Sequence, residues 1–258
     1  MIDLHSHILP GVDDGASSLK EALEILRTME AKGVKKIAAT PHYPLYKERN
    51  YKEFIKQKLD LLRKKAAAEN LKIEILSGSE ILIDRKTPEL LYNDQLLTLN
   101  QTDYILLETH LNLEPDYFSD LVHDLRAMGY QIIIAHPERY SYLQSDYTKL
   151  YQWVEEYNLK LMFNSSSLLG RHGSKTKATA EKILNLGLCH LMASDTHGVD
   201  KRPFSLDQGL KKAEKLKPGS AELFQTNAEA VLNNQELKSF ELKREESSIL
   251  KKFFSIFK

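Results

Sequence analysis

Short apolar runs, each ending in a histidine, a carboxylate or an asparagine and recurring at intervals of roughly 30 residues, constrain this chain more than any other feature. Ile2–Leu4 leads into His5-Ser6-His7, Lys36–Thr40 into His42, Ile73–Leu76 into Glu80, and Asp103–Leu107 into Glu108. Gln131–Ala135 then leads into His136, Lys160–Phe163 into Asn164, and Leu188–Ala193 into Asp195 and His197. A strand, its loop, a helix and a return loop use about that much chain, so the phase is that of a repeated βα unit. Several runs are apolar on both faces, as buried parallel strands require. Between them lie helical stripes. Leu19, Ala22, Leu23, Leu26 and Met29 follow a Ser18–Glu21 capping box and stop at Gly33. Ile55, Leu59, Leu62 and Ala66 repeat the pattern, as do Phe118, Leu121, Val122, Leu125 and Met128 before Gly129.

This alternation predicts one α/β domain over residues 1–235, a distorted (β/α)7 TIM-like barrel. Its polar strand ends should share one rim, where the loops after the strands carry the chemistry of such barrels. A last helix is expected at Phe224–Leu232, followed by a charged and then basic–aromatic tail over residues 236–258.

The residue types at that rim point to metal. His5 and His7 stand two apart on a strand, so both imidazoles can aim at one point. Glu80 and Glu108 follow apolar strands, where a carboxylate needs ions or hydrogen bonds to compensate it. Asp195 and His197 form a second alternate pair. Singly, each could be a hydrogen-bonded core residue. Together with Asp14, His42 and His136 they offer more ligands than one ion can use, which argues for two or three ions. Arg139 and Arg202 lie beside them, and guanidinium groups match phosphate oxygens bidentately; a surface salt bridge is the bland alternative for each. Ions with arginines suggest phosphoester hydrolysis, with a metal-lowered water pKa and in-line attack of hydroxide on phosphorus.

Composition removes several other classes. Lys+Arg and Asp+Glu both number 36 in 258 residues, so no basic field suits nucleic acid. The single cysteine, Cys189, leaves no internal disulfide and fits a reducing cytoplasm. A cysteine-dependent phosphatase needs Cys-x5-Arg, whereas Asp195 stands where that arginine would be; Cys189 is expected as a buried strand residue. Neither a signal peptide nor an apolar run of about 20 residues is present, so a cytosolic protein is expected.

The motifs His5-Ser6-His7-Ile8-Leu9-Pro10-Gly11-Val12-Asp13-Asp14-Gly15-Ala16, Ala39-Thr40-Pro41-His42, Ala135-His136-Pro137-Glu138-Arg139 and Ala193-Ser194-Asp195-Thr196-His197 resemble the PHP superfamily. Within it they are most similar to the manganese-dependent protein-tyrosine phosphatases of bacterial capsule and exopolysaccharide operons, from residue 1 to about Leu232. The resemblance implies the PHP form of the barrel and three Mn2+ ions, with Fe, Zn or Co as substitutes. It implies His5, His7, Glu80 and Asp195 on one ion, Glu80, Glu108 and His136 on a second, and Asp14, His42 and His197 on a third. Arg139 and Arg202 would bind the phosphoryl group. The implied substrate is a phosphotyrosine protein, a membrane-associated tyrosine autokinase controlling polysaccharide export.

The chain departs from its relatives at Thr109-His110, where they tend to carry an aromatic residue and a proline. His110 is open to a role as accessory ligand or phosphate contact, or as an ordinary loop histidine. Asn164 and Ser165-Ser166-Ser167 either line the pocket or cap the next helix. A histidinol-phosphate-type phosphatase, an exonuclease of the same superfamily, an amidohydrolase and a metal-stabilised regulatory protein are the rival readings. In the tail, Lys251, Lys252 and Lys258 surround Phe253, Phe254, Ile256 and Phe257. That segment either packs on the barrel or makes peripheral contact with an anionic membrane.

Overall fold

The computed structural model describes residues 1–45 and 50–244, so the basic–aromatic segment 245–258 lies outside the described residues. Among the described residues, nine parallel strands alternate with helices in one α/β unit. The strands are β1 (Ile2–Asp3), β2 (Lys36–Ala39), β3 (His42–Tyr43), β4 (Glu74–Ser77), β5 (Glu80–Leu82), β6 (Tyr104–Glu108), β7 (Gln131–Ala135), β8 (Lys160–Asn164) and β9 (Leu191–Ala193). They pair in the orders β1-β2-β4 and β3-β5-β6-β7-β8-β9.

The expected strands at Lys36–Thr40 and Ile73–Leu76 are each continued by a second short strand. Thr40-Pro41 separates β2 from β3, because proline cannot donate to a ladder, and Gly78-Ser79 separates β4 from β5. The interruption at Gly78 is close-packed: a Cβ there would meet Leu99 Cδ2 and Thr40 Cγ2 at 2.9 Å each. The polar positions His42 and Glu80 therefore open these extra strands and sit in register, His42 opposite Glu80. Beyond the ends of β1 and β9 the backbone is also joined. Asp195 N donates to His5 O at 3.0 Å, His7 N donates to Thr196 O at 2.8 Å, and Ser6 and Thr196 form a parallel bridge.

Side chains alternate across the strands and feed two apolar clusters. Ile37, Ile75, Ile105, Leu107, Ile132, Ile134, Leu161 and Phe163 pack with the helices. Ala38, Leu76, Leu106, Ile133, Met162 and Leu191 pack with one another on the opposite face. That second cluster is closed near the strand starts by Leu99, Ala228, Val231 and Leu237.

Local chemistry differs from expectation in three places. Ser18 does cap the helix Leu19–Ala31, accepting from Glu21 N at 3.3 Å. Glu21, however, accepts from Ser17 N at 2.9 Å and Ser17 Oγ at 2.6 Å, and from Val199 N at 3.3 Å, rather than returning to Ser18. Val199 lies in the loop after β9, so the carboxylate ties the helix start to the rim. Met128 ends the helix Phe118–Ala127 and is 38% exposed, beyond the buried stripe. The last helix spans Ser220–Leu232, starting at Gly219, whose φ of +87° is the left-handed turn glycine accommodates without strain. Residues 236–244 run along the body: Leu237 is buried, Asn227 bonds Lys238 through both backbone groups, and Lys243 N donates to Leu186 O.

Candidate metal centre

The strand ends bring His5, His7, His42, Glu80, Glu108, His136, Asp195 and His197 to one place, and the loop after β1 adds Asp14. Potential ligand atoms fall into three compact groups: His7, Asp14, His42 and His197; His5, His7 and Glu80; and His42, Glu80 and Glu108. Glu80 is the hub. Its Oε1 is 2.8 Å from His136 Nε2 and 3.3 Å from His5 Nε2, and its Oε2 is 3.3 Å from His7 Nε2 and 3.0 Å from His42 Nδ1. Glu108 lies 3.4 Å from His136 Nε2 and 3.7 Å from His42 Nδ1. Asp195 Oδ1 lies 3.3 Å from His5 Nε2, 3.5 Å from His7 Nε2 and 3.3 Å from His197 Nδ1. Asp14 Oδ1 lies 3.2 Å from His197 Nε2 and 3.5 Å from His42 Nε2.

A second ring of groups orients the imidazoles. His7 Nδ1 donates to Asp13 Oδ2 at 2.7 Å, His197 Nδ1 donates to the Asp195 carbonyl at 2.9 Å, and His5 Nδ1 is bonded to Thr40 Oγ1 at 2.8 Å. With one nitrogen engaged, each ring presents the other to the centre, as in metal-ligating histidines held by an outer partner. His5 Nε2, His7 Nε2, His197 Nε2 and Glu80 Oε2 are all buried without a hydrogen-bond partner. Buried polar atoms left unpaired are costly and rare, and these four, spread over two adjoining ligand groups that share His7, fit cations. The donor set of imidazole and carboxylate suits Mn, Fe, Zn or Co better than Mg or Ca.

Charge in this cluster is arranged accordingly. Burial opposes ionisation of Glu80, but His5, His136 and His42 hold its carboxyl well below the usual range. Burial likewise opposes protonation of His5 and His42. Glu80 and Asp195 nevertheless lift His5 to about 10, while Asp14 and Glu80 lift His42 to about 11. Protons on these rings thus balance the carboxylates, a task that metal binding takes over as it displaces protons. Burial and the neighbouring Glu80 carboxylate push Glu108 up, and burial pushes His197 down to about 4.

The rim also holds backbone strain. His136, Asp195 and Arg202 have φ of 35°, 52° and 51°. Each such non-glycine conformation costs on the order of 1–3 kcal/mol and persists where the surroundings over-determine it. Arg202 Nη1 lies 3.2 Å from Asp195 Oδ2 and its Nη2 2.9 Å from Asp14 Oδ2, while Arg139 Nη1 lies 3.5 Å from Asp195 Oδ2.

The capsular polysaccharide synthesis family CpsB/CapC matches residues 1–233. The chain belongs to that family. Tyrosine-protein phosphatase YwqE of Bacillus subtilis is 36% identical over 236 residues, covering 91% of this chain and 92% of the relative. Putative tyrosine-protein phosphatase CapC of Staphylococcus aureus is 35% identical over 239 residues, covering 92% and 93%. A crystal structure from work on YwqE of Bacillus subtilis and CpsB of Streptococcus pneumoniae, described as unique metal-dependent tyrosine phosphatases, superposes with a TM-score of 0.91. It shares 34% identity and covers 95% of this chain and 100% of that one.

Several supporting residues escaped sequence reasoning. Asp13 accepts from His7 and also from Gly15 N at 2.9 Å and His42 N at 3.1 Å. Of the two adjacent aspartates Asp14 alone is expected as a ligand, and only the loop path separates the residue that orients His7 from the one that faces His42 and His197. Buried Glu138 accepts from Asn164 N at 2.9 Å, and Asn164 Nδ2 donates to Asp195 Oδ2 at 2.7 Å. Asn164 therefore supports a carboxylate, and its side chain makes no cap bond to the helix Ser165–Leu168. Ser166 Oγ is bonded to His172 Nε2 at 3.0 Å and Ser165 Oγ to Ser205 Oγ at 2.8 Å. His110 is exposed and joins none of the three ligand groups. Cys189 is buried, its thiol pushed well up by burial and donating to Leu191 O at 3.0 Å.

Proposed function

We propose that this chain is a metal-dependent phosphatase that hydrolyses phosphotyrosine on a protein. The observation that carries the reading is the set of buried ring nitrogens without hydrogen-bond partners, His5 and His7 facing the Glu80 carboxylate and His197 facing Asp14. It is supported by membership of a family whose curated relatives are tyrosine-protein phosphatases. The ligands proposed are His5, His7, Asp14, His42, Glu80, Glu108, His136, Asp195 and His197, with three Mn2+ ions as the favoured complement. When bound, such ions supply Lewis-acid activation of water and charge neutralisation at phosphorus.

The chain's own residues do the rest. Asp13, Thr40 and the Asp195 carbonyl hold His7, His5 and His197 in the orientation and tautomer that leave the inward nitrogen free. Glu138 and Asn164 steady Asp195. Arg139 and Arg202, both on the rim, are proposed to meet non-bridging phosphoryl oxygens through charge-assisted hydrogen bonds. The strand lines are proposed to close as a distorted (β/α)7 barrel, and the bonds between His5-Ser6-His7 and Asp195-Thr196 support closure between the first and last lines.

The proposed substrate is a membrane-associated bacterial tyrosine kinase governing capsule or exopolysaccharide synthesis, met from the cytoplasmic side. Among the described residues no helix is long and apolar enough to cross a membrane. Peripheral contact through residues 245–258 is the proposed means of approach. Turnover of a phosphotyrosine peptide, histidinol phosphate and single-stranded DNA, side by side with manganese, tests this function. Preference for the peptide, abolished by a strong chelator and restored by manganese better than by magnesium, is expected. Full activity after chelation, or preference for histidinol phosphate or DNA, overturns it.

A further inference from the structure

Asp14 is the least enclosed of the candidate ligands, its side chain 47% exposed, whereas Asp195 is 2% exposed. Both carboxylates divide their oxygens in the same way. Oδ1 of each turns to imidazoles: Asp14 to His197 and His42, Asp195 to His5, His7 and His197. Oδ2 of each turns to one guanidinium, that of Arg202, at 2.9 Å from Asp14 and 3.2 Å from Asp195. The remaining partners of these Oδ2 atoms are Lys201 Nζ at 3.4 Å on Asp14, and Asn164 Nδ2 at 2.7 Å and Arg139 at 3.5 Å on Asp195. Arg202 also reaches a third ligand through its backbone, since its carbonyl accepts from His197 N at 3.1 Å.

We infer that Arg202 is a positioning residue that locks exposed Asp14 to buried Asp195, so that cation binding at the Asp14, His42 and His197 group depends on it. The inference rests on the metal reading above. A planar fork with two nitrogens can bridge two carboxylates at fixed separation, which a lysine ammonium on a flexible stem cannot reproduce. Holding Oδ2 leaves Oδ1 as the only oxygen facing the imidazoles and removes the rotamer freedom of a half-exposed aspartate. Outer partners of this kind are worth about 10- to 100-fold in metal affinity. With both terminal nitrogens of Arg202 on carboxylates, Arg139, which has one 3.5 Å contact, is the freer group for phosphate.

Manganese binding to the full chain, measured without substrate by calorimetry and by the resonance of free Mn2+, tests this directly. Arg202→Lys and Arg202→Ala should both weaken one class of bound manganese by about 10- to 100-fold, leaving the tighter class unchanged. Asp14→Asn should weaken the same class, and combining it with Arg202→Ala should add little, because the two act as one unit. Arg139→Ala should bind manganese as the wild type does. Inorganic phosphate binding to the manganese-loaded proteins is the second readout. If Arg202→Lys or Arg202→Ala binds all manganese as tightly as the wild type and loses only phosphate affinity, the positioning role is overturned and Arg202 serves phosphate alone. If the wild type itself binds no manganese, the metal reading falls and this inference with it.

Discussion

Gly15 is the position where a single methyl group should do most damage to the site. A Cβ there would stand 2.1 Å from the His7 carbonyl oxygen, 2.5 Å from His7 Cβ and 2.8 Å from the His7 carbonyl carbon. None of these atoms can swing away by a rotamer change. Ordinary C···O contact begins near 3.3 Å, so the two backbone segments must part by roughly 1 Å. The parting opposes the bond from Ala16 N to His7 O, now 2.9 Å. It also strains the bond from Gly15 N to Asp13 Oδ1, at 2.9 Å, and with it the grip of Asp13 on His7. Two hydrogen bonds at about 1 kcal/mol each and an overpacking term of about 1–3 kcal/mol give an expected destabilisation of about 3–5 kcal/mol for Gly15→Ala. A shift of about 1 Å at His7 and Asp14 should cost on the order of 100-fold in kcat/KM. Urea unfolding, bound manganese and turnover of a phosphotyrosine peptide measure the three effects. Gly129→Ala is the control, because Gly129 has φ +94° but nothing within 4 Å of its would-be Cβ. It should lose stability while keeping activity. A Gly15→Ala protein with wild-type metal content and kcat/KM within about twofold of wild type refutes the steric argument.

Other perturbations separate the remaining roles. Arg139→Ala should keep its metals and lose about 2–4 kcal/mol of transition-state stabilisation, read as kcat/KM at full manganese loading; near-normal turnover removes Arg139 from the phosphoryl group. Burial, with Lys160 nearby, lowers buried His190 from 6.5 to about 3, so the unfolded chain binds the extra proton first and stability is lost as pH falls from about 6.5 towards 3. The His190 share of that slope is at most about 1.4 kcal/mol per pH unit, and His190→Gln should show a shallower decline in urea stability over that window; an unchanged slope contradicts the assignment. Cys189→Ser should retain most activity, since the buried thiol packs in the apolar core and donates to the Leu161 and Leu191 carbonyls, away from the ligand groups; loss of turnover without loss of stability contradicts that. A chain ending at Glu246 should keep its melting temperature and its turnover of a soluble peptide but lose binding to anionic vesicles; unchanged vesicle binding rejects the membrane role of the tail.

Much of the strand and helix layout was legible because burial leaves a periodic trace. β7 matches its expected range, β8 runs one residue longer, and β6 is shifted by one residue at both ends. The splitting of two strand lines was not legible, because it depends on a proline and on Gly78 fitting between Leu99 and Thr40, a contact between distant segments. The same limit governs the site. Residues that face the centre come from strand ends with a repeating phase, and the chain brings them together. Those that orient them come from loops with no period: Asp13 beside Asp14, Thr40 across from His5, Glu138 behind Asn164. Glu21 shows the converse, a residue whose local motif pointed to Ser18 but whose carboxylate is claimed by Ser17 and the loop after β9.

The two ends of the strands carry opposite demands, and the sequence divides its residues between them. Near the strand starts, Gln225 bonds Ile2 through both backbone groups, Tyr104 donates to Gln235 O, and Leu99, Val231 and Leu237 fill the space between. These contacts pair polar backbone and bury apolar surface, the usual sources of stability. At the other end, unpaired imidazole nitrogens, repelling carboxylates and three left-handed residues all cost free energy in the metal-free chain. A cation relieves most of that cost at once, because it replaces the protons on His5 and His42, meets the ring nitrogens left without partners, and screens Glu80 from Glu108. Tight ion binding at this rim is therefore the expected consequence of leaving the rim unsatisfied, and the sealed end lets the fold tolerate it.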